Sequence, residues 1–268
     1  MAQRSSRLVI PLLCVLLPVF LAHSEVAAPP NAFAKAAENR YLQARLDVQQ
    51  HPNDPMVAWK FARACFDWAE FATTKKDRAE LGQRGIEICR QLIDKDPNLA
   101  PAHYYLGLNL GQVARTKTLG ALSIVRDMET AFLKAIELNP KLDHAGAHRN
   151  LGLLYRDAPG WPTSIGSRSK ARFHLEQTLK LFPHYPGNCL TFLESQLEWN
   201  EKVEVRKKIP QTRKILDDAR TRLTGEEWRS SWGEWQARWK TIQDQVNIPY
   251  QPIRDPDPKP DTEAPKNE

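Results

Sequence analysis

The residues best suited to chemistry in this sequence are histidines. His144 and His148 are four residues apart and could share one face of a helix, with Asp143 beside them. A zinc site needs a third ligand with supporting geometry, and an HxxxH spacing without the HExxH motif is a weak metal signal. We therefore expect these histidines to be ordinary surface or groove residues.

Motifs that would point to an enzyme are missing from the sequence. It contains no GxSxG nucleophile motif, no P-loop and no GxGxxG. Paired carboxylates such as Asp217 and Asp218 are typical of a solvated helix surface. We predict no catalytic residue, no metal site and no cofactor, and hence a protein that is not an enzyme. An enzyme that uses His144 and His148 is the alternative.

The composition indicates a globular protein with a surface of mixed charge. Hydrophobic residues make up 41% of the 268 residues, charged residues make up 26%, and the formal net charge is +6. Basic and acidic residues are interspersed along most of the chain, and no basic block accompanies a nucleic-acid motif. We therefore expect no nucleic-acid partner.

Residues 1–24 have the three-part form of a secretory signal peptide. Arg4 and Arg7 precede the apolar run LVIPLLCVLLPVFLA, and AHS at residues 22–24 is a small-x-small cleavage site. The run is shorter than the roughly 20 residues of a membrane span. We expect export to a bacterial periplasm and no stable membrane span after cleavage. An uncleaved N-terminal anchor is the alternative.

Cleavage of the signal peptide would leave three cysteines, Cys65, Cys89 and Cys189. An odd number excludes a fully paired disulfide framework. All three lie among apolar neighbours at helical spacing, which favours buried free thiols. A bridge between Cys65 and Cys89 is the alternative.

The elements that must position any site are helices. No segment alternates with a period of two, whereas apolar residues recur at steps of three and four. Asp54 followed by Pro55 is a helix start signal. These patterns predict an all-α protein.

A repeat becomes visible when four prolines are aligned. Pro52, Pro97, Pro140 and Pro183 are separated by 45, 43 and 43 residues. Each of the first three prolines is followed by a predicted helix that contains a large residue next to a small one. These pairs are Phe61-Ala62, Leu106-Gly107 and Leu151-Gly152. The small residue would let two helices approach closely. A fixed period of this kind is typical of stacked helical hairpins.

These residues resemble the tetratricopeptide repeat, in which a Leu-Gly pair, Ala and Phe positions and a closing Pro recur. The repeat is longer here than usual, and we place the extra residues between the two helices, at TTKKDRAE, RTKTLGALSIV and APGWPTSIGS. Segments such as PAHYYLGLNLGQVA and AHRNLGLLYRDAPGW over residues 50–200 are similar to the T-component of TRAP-type transporters and to the regulator-of-microtubule-dynamics family. The leader favours the T-component.

Four tryptophans lie on one face of the last predicted helix: Trp228, Trp232, Trp235 and Trp239. A solenoid needs a terminal helix that covers its last apolar face, and large aromatic side chains suit that role. We predict a cap, with a partner-binding or membrane-interface face as the alternative. Thr224 and Glu227 form a predicted capping box at the start of this helix.

The predicted architecture is a solenoid of about three tetratricopeptide-like repeats with a C-terminal helical cap. We divide the chain into a signal peptide (1–24), a repeat domain (25–247) and a disordered tail rich in proline and charge (248–268). Stacked hairpins form a concave groove lined by the first helix of each unit. The residues we predict to bind a partner there, or in the inter-helix loop at residue 161, are Trp59, Arg63, Tyr104, Leu108, Arg149, Arg156 and Trp161.

Three of these residues are arginines, which could attract a carboxylate or an acidic segment. The alternative is that they are solvated or paired with Asp67 and Asp157. We expect a protein partner, and the T-component resemblance implies a role beside a periplasmic solute-binding protein. A general envelope scaffold and a membrane-tethered adaptor, each with unrelated partners, are the alternatives.

Overall fold

The structure is a computed structural model that describes residues 31–117 and 120–254. Within those ranges it has ten helices and a single isolated β-bridge, between Gly160 and Gly166, and it has no strand. The helices are α1 (Asn31–Gln50), α2 (Pro55–Ala69), α3 (Lys75–Lys95), α4 (Ala100–Ala114), α5 (Ala121–Leu138), α6 (Leu142–Asp157), α7 (Arg168–Leu181), α8 (Pro186–Glu198), α9 (Lys202–Arg222) and α10 (Glu226–Gln245). The predicted all-α class is confirmed.

Helices α2 to α7 form three successive hairpins. The first, second and third pairs are α2–α3, α4–α5 and α6–α7, and α1 packs against α2. Helices α2, α4, α6 and α8 contact one another in sequence order, so they form the inner row of the solenoid. The start of α2 follows from its cap, since the Asp54 carboxylate accepts hydrogen bonds from the backbone N–H groups of Met56 and Val57.

Two glycines permit the close approach within hairpins that the large-small pairs predicted. A Cβ atom on Gly107 would lie 2.6 Å from the Phe132 ring, and one on Gly152 would lie 2.7 Å from Leu175. These neighbours belong to the second helix of the same hairpin. Any larger residue at either position would push the two helices apart.

The predicted insertions between paired helices are wrong for the first hairpin and partly wrong for the second. Residues 75–80 of TTKKDRAE belong to α3, because the Thr74 hydroxyl accepts a hydrogen bond from the Asp77 backbone N–H and starts the helix there. Residues 121–125 likewise belong to α5. The extra length therefore lengthens these second helices, to 21 and 18 residues. Of the three segments, only APGWPTSIGS lies entirely between its two paired helices, α6 and α7.

The C-terminal helices form a separate apolar cluster, and the tryptophans lie in it. Trp232, Trp235 and Trp239 are buried, and Trp228 is partly buried against the same cluster. Their neighbours come from α8 and α9, including Leu190 of α8. The aromatic face of α10 is therefore packed in the core, as the predicted cap requires.

The predicted capping box at Thr224 is wrong. The residue before α10 is Gly225, with φ of 104° and no side-chain capping hydrogen bond. A glycine is favoured there because residues with a Cβ seldom adopt such a φ.

The predicted disordered tail is ordered over its first part. Ile253 is buried in the C-terminal cluster, and Trp239 Nε1 donates a hydrogen bond to the Gln251 carbonyl at 2.9 Å. Residues 248–254 thus pack against the cap, where the sequence predicted no core contact. The rest of the predicted tail, residues 255–268, lies outside the described residues.

The three cysteines of the described chain are buried free thiols, as expected, so Cys65 and Cys89 form no bridge. The predicted signal peptide, residues 1–24, lies outside the described residues. Among those described, no helix is both long enough and apolar enough to cross a membrane.

Candidate functional site

The inner row of helices carries a small cavity between α2, α4 and α6. Its volume is about 200 Å³. We call it the groove pocket and define it by its lining residues, which are Arg63, Phe66, Asp67, Tyr104, Tyr105, Leu108, Asp143, Arg149 and Asn150. Four of the residues predicted for the groove therefore come together here: Arg63, Tyr104, Leu108 and Arg149.

Aromatic rings form the apolar side of the groove pocket. Tyr104 and Tyr105 have ring centroids 5.0 Å apart, and both residues are almost fully buried. The Trp59 ring stacks on Tyr105 at 5.7 Å with an interplanar angle of 8°. Trp59, which was also predicted, thus borders the pocket through Tyr105.

Two ion pairs form the polar side of the pocket. Arg63 Nε lies 3.5 Å from Asp67 Oδ2 across one turn of α2, and Arg149 Nη2 lies 3.5 Å from Asp143 Oδ2. Arg149 also donates a shorter hydrogen bond, of 2.8 Å, to Asn188 Oδ1. The pairing of Arg63 with Asp67 that the sequence left open is therefore formed.

Burial and charge shift the ionisation of these groups. Burial raises the pKa of Asp67, and the neighbouring Arg63 only partly counteracts it. Burial lowers the pKa of Arg63, but electrostatic interactions with Tyr105, Asp67 and Asp143 outweigh this effect, so the net pKa is raised. Burial also raises the pKa of the Tyr105 hydroxyl. Burial thus disfavours the ionised forms of the Asp67 carboxyl and the Tyr105 hydroxyl.

An irregular first turn of α6 presents Asp143 to the pocket. Asp143, His144 and Ala145 have φ angles of 49°, 53° and 61°, which is the left-handed region. Each such residue costs about 1–2 kcal/mol, and strain of this kind persists only where surrounding contacts hold it. The Tyr104 hydroxyl donates a 2.5 Å hydrogen bond to Asp143 Oδ2, and Asn188 Nδ2 donates one of 3.1 Å to the His144 carbonyl.

The same turn separates the two histidines of the HxxxH spacing. His144 stacks on Tyr185, with centroids 4.1 Å apart and rings 3° from parallel. His148 Nδ1 instead lies 2.9 Å from His174 Nδ1 of α7. Burial lowers the pKa of both His148 and His174. Residues 31–117 and 120–254 contain no group of three or more His, Cys, Asp or Glu side chains that could hold a metal ion.

Two of the predicted binding residues lie away from the groove pocket. Arg156 pairs with Asp157 at 2.5 Å and donates to Ser195 Oγ at 3.0 Å, so its guanidinium is used within the fold. Trp161 is 89% exposed in the loop between α6 and α7. The loop itself is held by backbone contacts, among them a hydrogen bond of 2.8 Å from the Gly166 N–H to the Pro159 carbonyl.

Sequence reasoning missed several lining residues. Phe66, Tyr105 and Asn150 were not singled out, and Asp143 was considered only as a neighbour of two histidines. The spacing of Phe66 relative to Arg63 offered a signal, because residues three positions apart lie on one face of a helix. The left-handed turn that turns Asp143 inward has no such signal, since none of its three residues is glycine.

The comparisons with known proteins agree with this architecture. The model of the family "Regulator of microtubule dynamics protein 1-3" matches residues 31–154. A crystal structure of a thermophilic TPR protein from Thermus thermophilus superposes with a TM-score of 0.55 at 16% identity, covering 82% of this chain and 98% of that one. No curated protein matches.

These matches support a tetratricopeptide-like helical family and leave the T-component resemblance a prediction. The structural match concerns the fold alone, because the two sequences are only 16% identical. The fold is typical of non-catalytic interaction proteins. The chain is therefore an all-α protein with a TPR-like helical repeat fold.

Proposed function

We propose that this protein is a non-catalytic protein-interaction module whose concave groove binds a segment of a partner protein. The observation that carries the proposal is the groove pocket, where α2, α4 and α6 bring charged and aromatic side chains to one cavity. Repeat proteins use such concave surfaces for binding.

Exposure of the pocket rim supports a binding role. The Arg63 side chain is 56% exposed although it borders a cavity with buried walls. Aromatic and arginine side chains are enriched among residues that dominate protein interfaces. A partner that covers Trp59 and Arg63 would remove both from water.

We further propose that the protein acts in the periplasm beside a solute-binding protein of a transport system. The leader at residues 1–24 and the T-component resemblance support this proposal. A general envelope scaffold and a membrane-tethered adaptor are the competing functions.

An affinity pull-down from an envelope extract of the source organism tests these functions. The bait is residues 25–268, and two variants accompany it: Arg63→Gln/Asp67→Asn in the groove and Lys76→Gln/Asp244→Asn on exposed helix surfaces. Recovery of a solute-binding protein by the native bait and the control, but not by the groove variant, supports the transport role. Recovery of unrelated envelope proteins with the same dependence on the groove supports the scaffold. Equal recovery by all three baits would contradict binding through the groove.

A further inference from the structure

The loop between α6 and α7 presents a tryptophan to solvent. Among the large hydrophobic side chains of the described residues, Trp161 is the most exposed, at 89%, so it contributes little to packing. The backbone around it is nevertheless well held. The Ser167 N–H donates a hydrogen bond of 2.8 Å to the Tyr155 carbonyl, and the Thr163 N–H donates one of 3.0 Å to the Gly160 carbonyl. An ordered loop therefore displays a large apolar ring that the fold does not use.

The chain that follows this tryptophan is basic. Residues 158–175 contain no aspartate or glutamate, and they contain Arg168, Lys170 and Arg172. The side chains of Arg168 and Lys170 are 56% and 57% exposed. Because the isolated β-bridge joins the two ends of the loop, Trp161 lies close to the start of α7 and hence to these cations.

The start of α9 adds to this surface. Arg168 and Arg172 both donate to the Glu201 carboxylate, and they lie over the Trp199 ring at 5.4 and 4.5 Å. These contacts bring the first residues of α9 beside the first residues of α7. The exposed Lys202, which follows Glu201, therefore lies next to the same group of cations.

The carboxylates in contact with these cations do not balance them. Glu201 is shared by two arginines, and Glu129 lies 3.9 Å from Lys170 Nζ, which is a long contact for an ion pair. With Lys202, four basic side chains accompany two carboxylates, which leaves an excess of two positive charges. An exposed apolar side chain, Phe173, lies three residues beyond Lys170 on the surface of α7.

We call this surface the α7 patch. It combines exposed aromatic rings with exposed positive charge, and its residues are Trp161, Arg168, Lys170, Arg172, Phe173 and Lys202.

We propose that the α7 patch docks the protein on the surface of a membrane that contains anionic lipids. Tryptophan rings favour the boundary between lipid and water, and basic side chains are attracted by anionic headgroups. A projecting loop suits a lipid surface better than a folded protein, because a tryptophan enters the headgroup region without a matching pocket on the other side.

Docking through the α7 patch would leave the groove accessible. Helix α7 is the second helix of its hairpin, whereas the inner row of the solenoid is formed by the first helices. This inference therefore goes beyond the proposed function and does not depend on it. A protein held on a membrane in this way would still present the groove pocket to a partner.

Co-sedimentation with lipid vesicles tests the inference. The protein is residues 25–268, because the apolar leader would itself bind lipid, and this chain contains every described helix. The vesicles contain phosphatidylcholine alone or an equal mixture of phosphatidylcholine and phosphatidylglycerol. We expect binding to the mixed vesicles that weakens as salt is added, and little binding to phosphatidylcholine alone.

Two variants change the α7 patch, and each has a matched control. Trp161→Ala and Lys170→Gln/Lys202→Gln should each weaken binding to the mixed vesicles about tenfold or more. Leu46→Ala removes a half-exposed apolar side chain from α1, and Lys75→Gln/Lys76→Gln removes two exposed charges from α3; neither should have an effect. Circular dichroism of each variant verifies that it is folded.

The remaining outcomes overturn the inference. Absence of binding to the mixed vesicles would do so, as would binding that Trp161→Ala leaves unchanged. Loss of an acidic protein from the envelope pull-down in Trp161→Ala, without any vesicle binding, would assign the α7 patch to a protein partner instead. The groove variant Arg63→Gln/Asp67→Asn should bind vesicles as the native chain does, so failure of the membrane inference and failure of groove binding are distinguishable.

Discussion

Acidification should destabilise this protein through a buried histidine pair. His174 is 8% exposed, and its Nδ1 lies 2.9 Å from His148 Nδ1. Burial lowers the pKa of His174 from 6.5 to about 4, with smaller contributions from His148 and Lys170. The Tyr155 ring stacks on His174 with centroids 5.6 Å apart, and the Tyr155 hydroxyl donates a hydrogen bond of 2.6 Å to Glu129.

The size of the effect follows from the two pKa values. The unfolded chain binds this proton near pH 6.5, whereas the folded chain binds it only near pH 4. Stability that is complete at neutral pH is therefore lost as the pH falls through this window. The loss from His174 alone is about 2 kcal/mol between pH 7 and pH 5, and about 3 kcal/mol by pH 4.

Urea denaturation followed by circular dichroism at pH 7 and pH 5 measures this loss. The double variant His148→Phe/His174→Phe removes both titrating rings and keeps aromatic volume. Because the pKa of His148 is lowered too, its loss between the two pH values should be smaller than that of the native chain by at least about 2 kcal/mol. His184→Gln, at an exposed position, is the control and should behave as the native chain does. An equal loss in the native chain and the double variant, or an NMR titration of His174 near pH 6.5, would refute the reasoning.

Three further predictions concern stability at neutral pH, measured by urea denaturation. Gly107→Ala should lower the free energy of unfolding by about 1–3 kcal/mol, because its Cβ would lie 2.6 Å from the Phe132 ring. The control Gly233→Ala, whose Cβ would have no atom within 4 Å, should raise it by up to about 1 kcal/mol. Equal effects would contradict the close approach of α4 and α5. Trp239→Ala should lower the free energy of unfolding by about 3–5 kcal/mol because the side chain is fully buried. The exposed Trp161→Ala should lower it by less than about 0.5 kcal/mol. A small effect of Trp239→Ala would contradict its place in the core. Asp54→Ala should lower the free energy of unfolding by about 1 kcal/mol, because it removes the N-terminal cap of α2. Asp244→Ala, at an exposed position, is the control. Similar losses in both variants would exclude capping as the cause.

The fold was predictable because its signals are local. Helical spacing, the Asp54-Pro55 start and the recurrent prolines each depend on a few neighbouring residues. The helix boundaries were less predictable: Thr74 with Asp77 is a start signal that was taken for part of an insertion, so α3 begins earlier than expected. Proline and charge in the tail likewise concealed Ile253, which is buried by partners distant in sequence.

The groove was predictable in outline and not in chemistry. The positions of Arg63 and Tyr104 relative to the large-small pairs correctly predicted that both residues line the groove. The register could not show that Arg156 is bound to its neighbour Asp157, or that Arg149 is engaged by Asn188 from the next unit. Those contacts depend on the packing of successive units, and they decide which charges remain for a ligand.

The left-handed turn from Asp143 to Ala145 is in contact with both the groove and the C-terminal helices. Asp143 borders the groove pocket, and the adjacent His144 stacks on Tyr185, whose ring meets Trp228 and Trp235 edge-on at 6.4 and 5.6 Å. Coupling between two sites is reciprocal, so any free energy by which the packing of α10 changes affinity in the groove is also the free energy by which a groove ligand changes that packing. Substitutions in α10 thus become a probe of the groove, although α10 lines no part of the pocket.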